Sequence, residues 1–262
     1  MRHILLAAVL AALAFPFTAA AQRRSVADPV YLPEAQVEVA LQGDDYVFGS
    51  INLVTNNGNL GGTFAQGQFR LGYEHFWNEQ WSWGGTLTGA RGPVVTTTVV
   101  PELLLRHWNT FGSVNFRQRL GLRYAVPFDE EGVRSRALAA LRLDVDRVFA
   151  LGRIGLRPRL AVEPVLFVRL QRDDEDVKEP FLDFANLRAE IGCRVSDHFD
   201  FTPFFAYQSA YSFVLAQFDA NGNIRIPAGL FSSVQPVLGV EARVTLFKGE
   251  KSTERRQLPT QY

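Results

Sequence analysis

Apolar and polar side chains alternate at every second residue along most of this chain, in short segments set apart by clusters of Gly, Asn, Asp and Ser. From Val114 to Tyr124, Val114, Phe116, Leu120, Leu122 and Tyr124 share one face, while Asn115, Arg117, Arg119 and Arg123 share the other. Successive side chains of a strand point to opposite faces, so the period predicts strands with one apolar and one heavily charged face. Strands are predicted over 64–76, 81–91, 95–107, 114–126, 135–149, 154–170, 182–195, 199–213 and 233–247. A first one lies somewhere in 34–54, interrupted at Gly43-Asp44-Asp45. Leu138, Leu141, Val145 and Val148 also fit a helix face, but the alternation from Leu141 to Asp146 favours a strand there.

In a soluble sandwich the apolar face turns inward, whereas a membrane barrel turns it to lipid and lines its lumen with polar residues. The N-terminus bears on the choice. Arg2 and His3 precede an apolar stretch from Ile4 to Phe17, and Ala19-Ala20-Ala21 supplies small residues before Gln22. This has the form of a cleaved signal peptide, too short for a membrane-spanning helix of ~20 apolar residues. The expected organisation is a signal peptide over 1–21, an N-terminal periplasmic segment over 22–33, a barrel over 34–247 and a polar periplasmic tail over 248–262.

Connection lengths predict the topology. Short turns at 78–80, 109–112, 151–152 and 196–198 alternate with longer connections at 127–132, 172–180 and 215–230, as periplasmic turns alternate with extracellular loops. The fold expected is all-β: a transmembrane antiparallel β-barrel of ten strands with both termini in the periplasm. Twelve strands result if 34–54 is a hairpin and 215–230 adds a strand. Aromatics near strand ends (Phe76, Trp77, Trp81, Trp83, Trp108, Phe149, Phe199) suit interfacial girdles.

Charge refines the picture of the polar face. The formal net charge is zero, which gives no electrostatic case for nucleic acid, and lysine occurs only at 178, 248 and 251. Arginine, with its planar fork, is the better partner for partly desolvated carboxylates. By parity the lumen receives Arg70, Arg106, Arg117, Arg119, Arg123, Arg142, Arg157, Arg159, Arg169, Arg188, Arg194 and Arg243, facing Glu74, Glu102, Asp144, Asp146, Glu163, Glu190, Asp200 and Glu241. This is a filled, charged lumen with a local excess of arginine. Reversal at Leu151–Gly152 would set Asp146 opposite Arg157 and Asp144 opposite Arg159. Reversal at Thr110–Phe111 would set Glu102 opposite Arg119, and a turn at 196–198 would set Arg194 opposite Asp200.

The run Phe116-Arg117-Gln118-Arg119-Leu120-Gly121-Leu122-Arg123 resembles the arginine-alternating strand of a bacterial barrel family known as domain of unknown function twenty-four-ninety. Around it, the Arg- and Asp-rich strand from Arg136 to Val145, the step Val162-Glu163-Pro164, and the run Leu187-Arg188-Ala189-Glu190-Ile191-Gly192 leading through Ser196-Asp197-His198 to Tyr207 follow in similar order. Gly121 stands where the family carries an acid. The resemblance covers roughly residues 60 to 247 and implies an outer-membrane β-barrel without an assigned activity.

Candidate chemistry is sparse. His75, His107 and His198 sit at predicted periplasmic strand ends, and no Ser–His–acid relay is legible. Asp197-His198 reads as a turn. Asp173-Asp174-Glu175-Asp176 reads as a solvated acidic loop that could bridge divalent cations, and Asp219-Ala220-Asn221-Gly222-Asn223 reads as a turn. The single Cys193 has no disulfide partner. No catalytic residues, cofactor or metal set are expected. The function expected is that of an integral outer-membrane barrel in a structural or uncharacterised membrane role, with a narrow channel for small solutes or ions, or a lipid- or peptide-hydrolysing barrel enzyme, as alternatives. Its partners would be outer-membrane lipids and, during biogenesis, periplasmic chaperones and the barrel-assembly machinery.

Overall fold

The computed structural model describes residues 23–41, 45–56, 66–92, 95–128, 135–152, 154–168, 180–219 and 221–248. The expected signal segment, Arg169, the acidic run 173–176 and the tail beyond Lys248 lie outside them.

The period-two alternation becomes strands throughout. In chain order they are β1 (Arg23–Val26), β2 (Val30–Ala40), β3 (Tyr46–Asn56), β4 (Gln66–Phe76), β5 (Trp81–Gly92), β6 (Val95–Phe111), β7 (Val114–Pro127), β8 (Arg136–Arg147), β9 (Phe149–Leu151), β10 (Ile154–Val168), β11 (Leu182–Arg194), β12 (Phe199–Val214), β13 (Gln217–Phe218), β14 (Ile224–Ile226) and β15 (Gly229–Phe247). Segment 136–147 is a strand paired on both sides, which excludes its helical alternative.

Each long strand pairs antiparallel with its neighbour from β2 round to β12 and β15, and β15 then pairs with β2 in parallel. The result is a closed barrel of eleven strands. Closure leaves no sheet edge with unpaired backbone groups. Segment 34–54 is the hairpin β2–β3, but the 215–230 region contributes a small separate hairpin, β13–β14, instead of a further barrel strand, so the count falls between ten and twelve. The barrel also begins before Glu34: β2 opens at Val30, and β1 runs alongside the start of β15. An odd number of up-and-down strands makes the first and last parallel. The chain therefore enters β2 at the end bearing the longer connections and leaves β15 at the short-turn end, not with both termini at one end.

The short turns are built by local chemistry. Asn78 Oδ1 accepts from the backbone N–H of Gln80 (2.8 Å) and Trp81 (2.9 Å). Gly112 and Gly152 adopt φ of 62° and 63°, the left-handed region that two-residue hairpin turns demand. Those glycines open the turns, so the reversals fall later than expected. Glu102 lies opposite Arg123 instead of Arg119, and Arg159 lies opposite Asp146 instead of Asp144. Both slips are even-numbered, so every side chain keeps its face. Arg194 lies opposite Asp200, as expected.

Candidate functional site: the charged lumen

Buried side chains along the strands are polar or charged far more than apolar. Arg106, Arg142, Arg188, Arg243, Glu38, Glu74, Glu163 and Glu241 are among the largest fully buried side chains, while Leu103, Leu122, Leu160, Leu187, Leu71 and Ile51 stand exposed on the outer wall. The usual distribution, apolar inside and charged outside, is inverted. Two apolar groups interrupt the charged interior. Tyr46, Phe76 and Trp108 pack at the short-turn end, with ring centroids 5.7 Å and 5.3 Å apart. Val30, Leu32, Phe204, Ala206 and Val237 pack beside the β15–β2 seam.

Between these groups the arginines and carboxylates form a network. Arg106 Nη1 meets Glu74 Oε2 at 2.8 Å, and the Ser82 hydroxyl donates to the other Glu74 oxygen. Glu102 receives Arg123 Nε at 3.1 Å, Arg119 Nη2 at 3.4 Å and the Thr86 hydroxyl at 3.2 Å. Arg123 Nη2 continues to Glu163 at 2.5 Å, which Arg119 reaches at 3.3 Å and Arg142 at 3.7 Å. Arg142 Nη2 holds Asp144 at 2.9 Å, two residues along its own strand.

Asp146 is the most shared acid. Arg117 Nη2 lies at 2.9 Å, Arg157 Nε at 2.8 Å, Arg159 Nε at 3.8 Å, and Asn115 Nδ2 donates at 2.8 Å. Glu190 bridges Arg159 (2.5 Å) and Arg188 (2.6 Å), whose guanidinium lies 3.5 Å from the centre of the Phe204 ring. Arg194 Nε pairs with Asp200 at 3.1 Å. Arg243 joins Glu241 (2.6 Å) to Glu38 (3.2 Å). Arg70 Nε donates to the Thr88 hydroxyl at 3.0 Å.

Every described member of the sequence-derived set therefore sits in the interior, but the pairings differ in part. Asp144 bonds Arg142, not Arg159. Asp146 does reach Arg157, diagonally, and Glu102 does reach Arg119, because long side chains span more than one register step. Glu34, Gln36 and Glu38 on β2 were missed, all buried and inward. Their alternation with Ala35, Val37 and Val39 was the available signal, obscured because the limits of the first strand were not set. These two acids offset much of the expected arginine excess. Gly121 leaves room for Glu102: a Cβ there would collide with the carboxylate.

At the short-turn mouth a cavity of ≈ 460 Å³ is lined by Gln80, Trp108, Asn109, Arg117, Arg157 and Arg194, among others. Outside this mouth, Asp45 latches the β2–β3 turn to β4. It accepts from the Tyr73 hydroxyl (2.7 Å) and the Phe76 N–H (3.2 Å) and meets His75 Nδ1 at 2.9 Å. Partial burial works against its charge, but these hydrogen bonds outweigh it and hold the carboxyl below its ordinary pKa. His107 Nδ1 meets Gln118 Oε1 at 2.7 Å, and His198 Nδ1 meets the Thr245 carbonyl at 2.8 Å. Among the described residues no serine hydroxyl hydrogen-bonds a histidine ring, and no group of three or more His, Cys, Asp or Glu could hold a metal ion. Asp219 caps its own turn, accepting from the N–H of Asn221 (2.9 Å) and Asn223 (2.8 Å).

Comparisons with protein-family models, with curated proteins and with solved structures find no match.

Proposed function

We propose that the chain is an integral outer-membrane β-barrel protein whose lumen is filled by an arginine–carboxylate network and whose role is structural. The observation that carries this reading is the inversion of faces. Exposed Leu, Ile, Val, Phe and Tyr side chains line the outer wall while the interior is ionic. A water-exposed apolar band of this extent is foreign to a soluble monomer and suited to lipid, where closed barrels are the only β-structures that satisfy their backbone. Exported chains of this kind would meet periplasmic chaperones and the assembly machinery on the way. Kinship with the barrel family resembled by Phe116–Arg123 belongs to the same proposal. The odd strand count departs from the even numbers usual in bacterial outer-membrane barrels, and with short turns facing the periplasm it sets the start of β1 on the outer side.

The test is an SDS gel of the detergent-folded chain with and without boiling, together with fractionation of cells after a carbonate wash. A mobility shift on boiling and retention in the outer-membrane fraction are expected. Solubility in plain buffer with no shift would overturn the proposal.

A narrow channel is the second reading, favoured by the cavity at the short-turn mouth. Eleven strands enclose little more than the eight whose side chains fill the interior, far below the 16 to 18 of open porins, and here long ion-paired side chains occupy the section. Little or no conductance is expected in a planar bilayer. Large, stable steps would promote the channel.

A further inference from the structure

The seam between β15 and β2 sets acid opposite acid, with Arg243 shared between Glu241 and Glu38. Glu241 and Glu34 are direct partners across the parallel pair, and Glu34 is in turn the partner of Asn52 on β3. All three side chains point inward and are at least nine-tenths buried, at 1%, 5% and 4% exposure. Neighbouring strands are about 4.8 Å apart, so the three side chains leave adjacent strands in one row across the seam. Each ends in an oxygen without a protein hydrogen-bond donor: Glu241 Oε2, Glu34 Oε2 and Asn52 Oδ1.

The nearby cations are shared between this row and other groups. Arg243 Nη2 holds Glu241 Oε1 at 2.6 Å, and its Nη1 holds Glu38 at 3.2 Å. Arg188 is bound to Glu190 at 2.6 Å and stays 3.9 Å from Glu241 Oε2. Arg70 lies one register step away, opposite Ser50, with its Nε on Thr88; it and Arg188 act on Glu34 electrostatically, and the Ser50 side chain hydrogen-bonds Glu34. Among the described residues, no arginine forms an ion pair with Glu34. Asn52 donates its Nδ2 to Gln68 Oε1 at 3.4 Å, which turns its carbonyl oxygen away from β4.

We propose that the Glu241–Glu34–Asn52 row is a binding site for a hard, oxygen-preferring cation that fastens the first barrel strand to the last. Two carboxylates and an amide carbonyl are the ligand types such ions take, with water completing the shell. The cation supplies positive charge as arginine does elsewhere in the lumen, and it does so at the parallel β15–β2 pair, where Glu241 faces Glu34. The site depends on the barrel alone and holds whether or not the wall contacts lipid.

The experiment is a calcium titration of the detergent-folded full chain, stripped with EDTA and kept at constant ionic strength, read by thermal unfolding and by hydrogen exchange. At calcium 100 times its dissociation constant, the folded-to-unfolded ratio rises about 100-fold, and the added protection centres on β2 and β15. Glu34→Gln abolishes the response, Asn52→Leu weakens it, Asn52→Asp tightens it, and Glu38→Gln leaves it in place. If Glu34→Gln does not fold, the exchange pattern of the wild type and the Asn52→Asp shift decide. No calcium response overturns the site, as does a response that survives Glu34→Gln. Loss of the response on neutralising residues 173–176 also overturns it, by moving calcium to the acidic loop. A wild-type midpoint that follows pH but not calcium would overturn it in favour of a proton shared between the two acids.

Discussion

Along β6, β7, β8, β10 and β11, every described interior carboxylate lies within 4 Å of at least one guanidinium, and Asp146 and Glu163 each serve three. Across the β15–β2–β3 seam, Glu38 and Glu241 share Arg243, while Glu34, on which Arg70 and Arg188 act at longer range, has no ion pair among the described residues. Both regions are built of inward-facing polar residues on alternating strands, yet only the wall is internally neutralised. The difference follows from what each must do. The wall is all antiparallel between strands consecutive in the barrel, and its registers set acid against base, as at Arg117–Asp144, Glu102–Arg123 and Arg159–Glu190. The seam joins strands from opposite ends of the chain in a parallel pair, the slightly weaker ladder, and opposes acid to acid.

The sharpest way to break this contrast is at the hub of the wall. Asp146→Ala leaves Arg117, Arg157 and Arg159 short of a buried partner, and removal of one member of a buried ionic cluster costs about 3–5 kcal/mol. Chemical unfolding of the detergent-folded barrel should show this loss. Replacing Asp144 alone with Ala should likewise cost more than replacing Asp144 and Arg142 together with apolar residues, and equal effects would mean that the pair is solvated. Next comes the outer side of the same wall. Leu160 and Leu122 are 62% and 55% exposed, and arginine at either position should cost about 2–4 kcal/mol of membrane folding. The measurement is the yield and midpoint of refolding into vesicles, and an unaffected midpoint would count against lipid contact.

Gly121→Ala is a smaller perturbation with a specific address. The new methyl displaces the Glu102 carboxylate from Arg119, Arg123 and Thr86, an overpacking expected to cost about 1–3 kcal/mol. A double-mutant cycle with Glu102→Gln should recover most of that loss. The smallest effect belongs to the seam. In EDTA, Glu34→Gln removes a like-charge opposition and should gain about 0.2–1 kcal/mol, the opposite sign to Asp146→Ala. A loss of several kcal/mol at Glu34 would erase the contrast between the two regions.

Much of the wall is legible in the order of residues alone. The two-residue period assigns Arg117, Arg119, Glu163 and Glu190 to one face and Leu120, Leu122 and Leu160 to the other, because a strand's side-chain direction is a local property of the backbone. The short turn at 196–198 likewise places Arg194 opposite Asp200. Register elsewhere is less legible. Gly112 and Gly152 move two reversals, and a shift of two or four residues changes every partner without changing any face.

The sequence by itself thus determined that this chain forms strands, which side chains each face carries, and that its cations are almost all arginines suited to buried pairing. Only the tertiary structure decided the number of strands, the parallel closure, the membership of Glu34 and Glu38 in the lumen, and the sharing of Asp146 among three arginines. Those features depend on which strands meet across the closed sheet. That is a long-range property, set by turn geometry and by the joining of the two ends of the chain, and no local period encodes it.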